Sequence, residues 1–160
     1  MGLVGPTKDN RKQSNGFTLI ELLIVLVIIS IVAVISTMSA LSARVQANES
    51  QAKAALKAIL AGAEMYRNTQ GSYADDLSAM GTDYLPPDIV AGQKSGYSFE
   101  FKSGNMGATF TCTAVPVSQY HTGVKSYCIN IMNAIYVYDN APSLAADGSD
   151  CPSGGTILSA

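Results

Sequence analysis

Charge is scarce in this sequence. Only 14% of its 160 residues are Asp, Glu, Lys or Arg, against about 25% in an ordinary soluble domain. The shortage is local. From Phe17 to Ala43 the only ionisable side chain is Glu21, while the rest of the chain has the mixed composition of a polar domain. Glycine and proline are also missing from Phe17 through Ala61, so nothing in that stretch obliges a helix to break. There is one histidine, His121, and there are three cysteines, Cys112, Cys128 and Cys151, with no C-x-x-C pair. Zinc and haem sites are therefore poorly supplied. No block of Lys and Arg follows residue 16, which removes the electrostatic basis for specific nucleic-acid binding. The net charge is −2 for the whole chain; Lys8, Arg11 and Lys12 against Asp9 give the first 16 residues +2, leaving −4 for residues 17–160.

What is present begins with that polar, basic stretch ending in Gly16. An apolar run of about 25 residues follows. At 1.5 Å per residue it reaches nearly 40 Å as a helix, enough to cross a hydrocarbon core of about 30 Å. Basic residues ahead of it predict a cytoplasmic N-terminus. A secretory signal would have a shorter apolar core and a small-residue exit motif after it; Ser36, Ser39 and Ala40 do not form one. A plain single-span anchor leaves Glu21 unexplained, since an unpaired charge four residues into such a span is costly. Thr18-x-x-Glu21 also matches a capping box, in which the two side chains satisfy free N–H groups at a helix start.

Gly16-Phe17-Thr18-Leu19-Ile20-Glu21-Leu22 resembles the class III leader junction of type IV prepilins and type II secretion pseudopilins. The resemblance covers about 25 residues, with Gly, Phe and Glu in register. It implies cleavage after Gly16 by a membrane prepilin peptidase, methylation of the new amine of Phe17, and an assembly role for Glu21. It further implies a homo-oligomeric helical filament and two more partners, an inner-membrane platform protein and a cytoplasmic assembly ATPase. Before assembly the chain would sit in the inner-membrane bilayer as a single span; afterwards it would be part of an extracellular or periplasmic filament. The sequence departs from the family in one respect. Ser30 and Met38 stand near places where many members carry a helix-breaking Gly or Pro.

Beyond Ala43 the helix becomes amphipathic. Ala52, Leu56, Ile59, Ala63 and Tyr66 recur at helical spacing, with Lys53, Lys57, Glu64 and Arg67 off that stripe. Glu49 and Lys53 form a favourable i,i+4 pair. Gly71 supplies a left-handed stop. Residues 72–96, with several Gly and Pro, read as a connecting loop. Strands are predicted at 97–101, 109–115, 126–131 and 135–138, linked closely enough for an antiparallel meander. The expected fold is α+β: a long N-terminal helix packed on an antiparallel sheet of three to four strands. The expected organisation is a cleaved leader (1–16), a transmembrane and filament-core half-helix (17–43) and a globular head (44–160). Residues 139–160 read as an exposed, loop-like tail.

One disulfide and one free thiol are expected. Either Cys128–Cys151, tying the tail to the sheet, or Cys112–Cys128, across a hairpin centred on Tyr120, satisfies the spacing. The search for chemistry finds no catalytic set. His121 has no nucleophile placed beside it. Gly92-Gln-Lys94-Ser95 lacks the glycine spacing and setting of a phosphate loop. Asp139, Asp147 and Asp150 are acidic, as in the calcium-binding tails of major pseudopilins, but have no EF-hand spacing; a solvated acidic loop is the better reading. Asp75 and Asp76 read as loop or cap residues. No cofactor, metal site or enzymatic activity is expected. The function read from this is a pilin of a type IV pilus-like filament, ahead of a secretion pseudopilin or a minor pilin that binds a surface or DNA.

Overall fold

A computed structural model of the chain describes residues 16–139 and 146–158, with residues 36–39 described by their backbone alone. Lys8, Asp9, Arg11 and Lys12 of the basic stretch, and Pro142 of the tail, lie outside the described residues. Met1–Met38 and Ser39–Ala160 form separate compact units. A single helix, α1, spans Leu19–Gln70, as the lack of Gly and Pro before Gly62 allows.

The second unit is α+β. Short helices α2 (Leu77–Met80) and α3 (Pro87–Val90) interrupt the predicted loop. Asp76 caps α2, its Oδ1 accepting the Ala79 N–H at 2.8 Å. Six strands follow, β1 (Gln93–Lys94), β2 (Tyr97–Gly104), β3 (Thr109–Pro116), β4 (Lys125–Asn130), β5 (Ile135–Asp139) and β6 (Thr156–Leu158). They pair antiparallel in sequence order. The meander is as the pattern predicts, with two more strands than the expected three to four. Strand β1 exists because Ser95 and Gly96, both at positive φ, form a two-residue hairpin turn. Strand β6 is three residues long. Neither is long enough to show a period-two pattern.

Alternation sorts the sheet into two faces. Phe99, Phe101, Phe110, Cys112, Ala114, Tyr127, Ile129, Ile135 and Val137 lie on one, and belong to the core with Ala52, Ala55, Leu56, Ile59 and Ala63 of α1. This is the stripe read from the sequence, except that Tyr66 is only half-buried. The helix ends where predicted: Gly71 has φ 86° and donates to the Arg67 carbonyl at 2.8 Å.

The opposite face carries Glu100, Thr111, Thr113, Ser126, Cys128, Asn130 and Tyr138. Thr111, Thr113, Ser126, Cys128 and Asn130 are buried, because the tail crosses them. Ala146 N–H donates to Glu100 at 3.4 Å, and Gly148 N–H to the Thr111 hydroxyl at 2.9 Å. Asn130 donates to Asp150 at 2.8 Å, Cys151 is bonded to Cys128, and the Tyr138 hydroxyl donates to the Pro152 carbonyl. The tail thus steps from β2 to β5 and then adds β6 beside β5. This corrects the exposed-loop expectation for the described part of the tail. The crossing needs glycine at 148, where φ is 84° and a Cβ would collide with the Ser103 backbone.

Register also separates the two disulfide readings. Cys112 lies opposite Ile129, and Cys128 opposite Thr113. The two cysteines are one step out of register and point to opposite faces, so a Cys112–Cys128 bond is barred. Cys128–Cys151 encloses a 23-residue separation, a closure that stabilises by about 3 kcal/mol. Cys112 stays free and fully buried. Burial first, then the Glu100 charge, pushes its thiol pKa up, so it is unreactive while the fold holds. Alkylation should therefore label no cysteine in the folded chain, one after denaturation and all three after reduction. A label count of three without reduction would rule out the disulfide.

Candidate processing and assembly site

The site is a short stretch at the start of α1. Gly16 and the two residues after it have no regular structure, and the helix begins at Leu19. Gly16 is exposed and has no positive φ among the chain's left-handed residues. A Cβ built on it would meet nothing within 4 Å. No feature of the described chain demands glycine at this position. If glycine is required, the requirement comes from something that binds there. Phe17 follows, 82% exposed.

Thr18 and Glu21 form the capping box. The Thr18 N–H donates to Glu21 Oε2 at 3.1 Å, and its hydroxyl donates to the same oxygen at 2.9 Å. In return the Glu21 N–H donates to Thr18 Oγ1 at 3.3 Å. The bland reading of Glu21 is thus realised in full, and it leaves the carboxylate on an exposed surface. One Glu21 oxygen takes both Thr18 bonds, and the carboxylate's remaining acceptor positions face outward.

From Gly16 to Ile35 every residue is exposed. Leu22, Ile24, Leu26, Ile28, Ile31 and Ile35 each leave half or more of their area uncovered. The helix is apolar all round, long enough to cross a membrane, and none of its most apolar window is buried. Ser30 turns its hydroxyl back to the Leu26 carbonyl at 2.7 Å, which hides its polarity without interrupting the helix.

Residues 11–37 match the family model of the prokaryotic N-terminal methylation motif. The chain carries the class III prepilin leader of type IV pilins and pseudopilins. Such a leader implies processing by a prepilin peptidase and assembly into a filament, and the apolar helix behind it fits membrane anchoring. It marks a structural protein and not an enzyme. No curated protein and no solved structure matches the chain.

Residues considered for other chemistry serve the fold. Among the described residues no three His, Cys, Asp or Glu side chains gather as a metal site. Asp147 accepts the Ser149 N–H at 2.9 Å and hydroxyl at 3.0 Å, bonds that hold its carboxyl below its ordinary pKa. Asp150 is taken by Asn130 and by the Cys151 N–H, and Asp139 pairs with Lys125 at 3.6 Å. His121 is exposed. Lys94 pairs with Asp88 at 2.9 Å.

Sequence reasoning missed one group. Glu49 was paired with Lys53 by spacing, but its carboxylate instead accepts the N–H groups of Val124 at 3.1 Å and Lys125 at 3.3 Å and the Tyr127 hydroxyl at 3.3 Å. Lys53 lies over the Tyr127 ring, 5.9 Å from its centroid. Burial first, then the Glu49 charge, raises the pKa of both Tyr97 and Tyr127. The partners are more than 70 residues from Glu49 in the chain, and no local pattern announces them.

Proposed function

We propose that the chain is the pilin subunit of a type IV pilus-like helical filament. The prepilin peptidase cuts after Gly16 and methylates the Phe17 amine. Residues 17–43 hold the subunit in the inner membrane, N-terminus in the cytoplasm, and then become filament core; residues 44–160 form the exposed head. An inner-membrane platform protein and a cytoplasmic ATPase drive the transfer.

The observation that carries this reading is the junction in its setting: Gly16, Phe17 and Glu21 in register, at the head of a helix with no buried face. Covering one large apolar side chain is worth about 1.5–3 kcal/mol. Over this helix the sum reaches tens of kcal/mol, which water cannot supply. Lipid must cover it first, and neighbouring helices must replace the lipid afterwards. The ATPase and platform supply the work of moving between the two.

Shearing of cells tests the assignment. The pilin reading expects thin surface filaments whose main protein is this chain. A chain confined to the periplasmic face and co-isolating with a secretion complex would make it a pseudopilin. A trace component of filaments built from another protein would make it a minor pilin.

A further inference from the structure

The two ends of the sheet are distinguished by the part of α1 that each touches. At one end, Asn48 donates to the Thr122 carbonyl at 2.9 Å, Ser95 to Gln51 at 3.1 Å, and Val124 N–H to Glu49. At the other, the β2–β3 turn accepts the Tyr73 N–H at Gly107, 3.0 Å, beyond the end of α1. The first end, which holds the β3–β4 loop, is therefore beside the residues that directly follow the apolar run.

That loop is rigid and faces outward. Tyr120 has φ 66°, a left-handed backbone that is uncommon outside glycine and Asn. It is held there by its own N–H to the Gly123 carbonyl at 2.8 Å. Thr122 braces the turn, its hydroxyl accepting the Ser118 N–H at 3.0 Å and donating to the Ser118 carbonyl at 2.9 Å. The result presents Val117 and Tyr120, 58% and 64% exposed, with His121 between the Tyr and the brace.

We infer that the Val117–Thr122 loop rests in the lipid headgroup layer while the chain is anchored. The inference depends on the membrane reading of residues 17–43. From Ala43 to Asn48 the helix rises about 7.5 Å, and the headgroup layer on each side of a bilayer is about 5–8 Å deep. Asn48 thus sits near the outer boundary of that layer and fixes Thr122 beside it. The loop is continuous with the membrane-covered surface of α1 through exposed Leu41 and Arg44. A Tyr with an apolar body and a polar tip is the side chain that favours this depth. The loop would set the height and roll of the head before assembly, and it would be released when the subunit leaves the bilayer.

The chain has no tryptophan, so a single one reports a single place. Full-length Tyr120→Trp, His121→Trp, Met132→Trp and Val25→Trp chains are placed in phosphatidylcholine–phosphatidylglycerol vesicles, with bromine on the acyl carbons nearest the headgroups. Met132 is as open as Tyr120, 76% exposed, but lies at the far end of β4, about 20 Å away along the strand. Quenching several-fold stronger at 120 than at 132 is expected, with a blue-shifted emission. His121→Trp repeats the measurement at ordinary backbone geometry should position 120 reject the indole. Quenching at 25 with equal, weak quenching at 120, 121 and 132 overturns the loop's placement and spares the membrane reading. Absence of quenching at 25 removes both. A blue shift at 120 that follows protein concentration and ignores bromine assigns the loop to a second copy of the chain, which also overturns the proposal.

Discussion

A Gly16→Val chain is expected to fold and insert normally but to accumulate uncut. The argument rests on what the chain does not require. Gly16 is exposed, its Cβ direction is open to 4 Å, and its backbone has no glycine-only φ. A valine there costs the chain nothing in packing. Any defect must arise where the backbone meets the peptidase, which has to bring the 16–17 peptide bond against its catalytic groups. A side chain that displaces that bond by roughly 1 Å lowers the rate by about 100-fold. Blots of membrane fractions should show the precursor band replacing the mature one, with intact head structure by protease resistance. Gly16→Ala should retain part of the cleavage, since a methyl group is the smallest intrusion. Normal processing of Gly16→Val would mean that the glycine is incidental.

Replacement of Glu21 should leave cleavage intact and abolish most assembly. The structure separates two contributions here. As a capping residue Glu21 supports the helix start, and losing a cap costs about 1 kcal/mol. As a charge in the filament core it is worth more. Before cutting, residue 17 is an amide in mid-chain and carries no charge. After cutting, Phe17 bears an amine that is mostly protonated at neutral pH, and methylation keeps that charge. Packed among other helices, the amine and a Glu21 carboxylate, its own or a neighbour's, offset each other's desolvation; removing one partner of such a pair costs about 3–5 kcal/mol. The pair marks register in an otherwise uniform apolar bundle, and only processed subunits can read it. Glu21→Ala should therefore be cut, inserted and almost absent from sheared filaments, and Glu21→Asp intermediate. Glu21→Gln decides between the two contributions, because glutamine can fill the same capping position without the charge. Filament yield near that of Ala identifies the charge as the cause; yield near that of the unaltered chain would show that capping suffices.

The sequence made some of this legible and hid the rest for identifiable reasons. The span of α1, its stripe of Ala52, Leu56, Ile59 and Ala63, and its Gly71 stop follow from local periodicity and one backbone preference. The meander follows from alternation in β2 to β5. The course of the tail could not be read, because its signal is a glycine at 148 whose only tight neighbours lie more than 40 residues earlier. Gly62 is similar: a Cβ there would approach Leu85 Cδ2 to 2.7 Å, so the helix and the 84–85 segment meet only because that position is bare. The disulfide stayed open in the sequence since its choice rests on a one-residue difference of register. At the junction, the residues and their order were fully legible, and the structure added the capping bonds and the open space around Gly16.

The central claim is that this chain is cut once, on the cytoplasmic side of its apolar helix, before it assembles. Mass analysis of the N-terminus of the chain recovered from sheared filaments tests it most directly. The account predicts a chain that starts at Phe17 with one methyl group on its amine and retains the whole apolar helix. A chain that starts after Ala40, or one that keeps Met1, would contradict it.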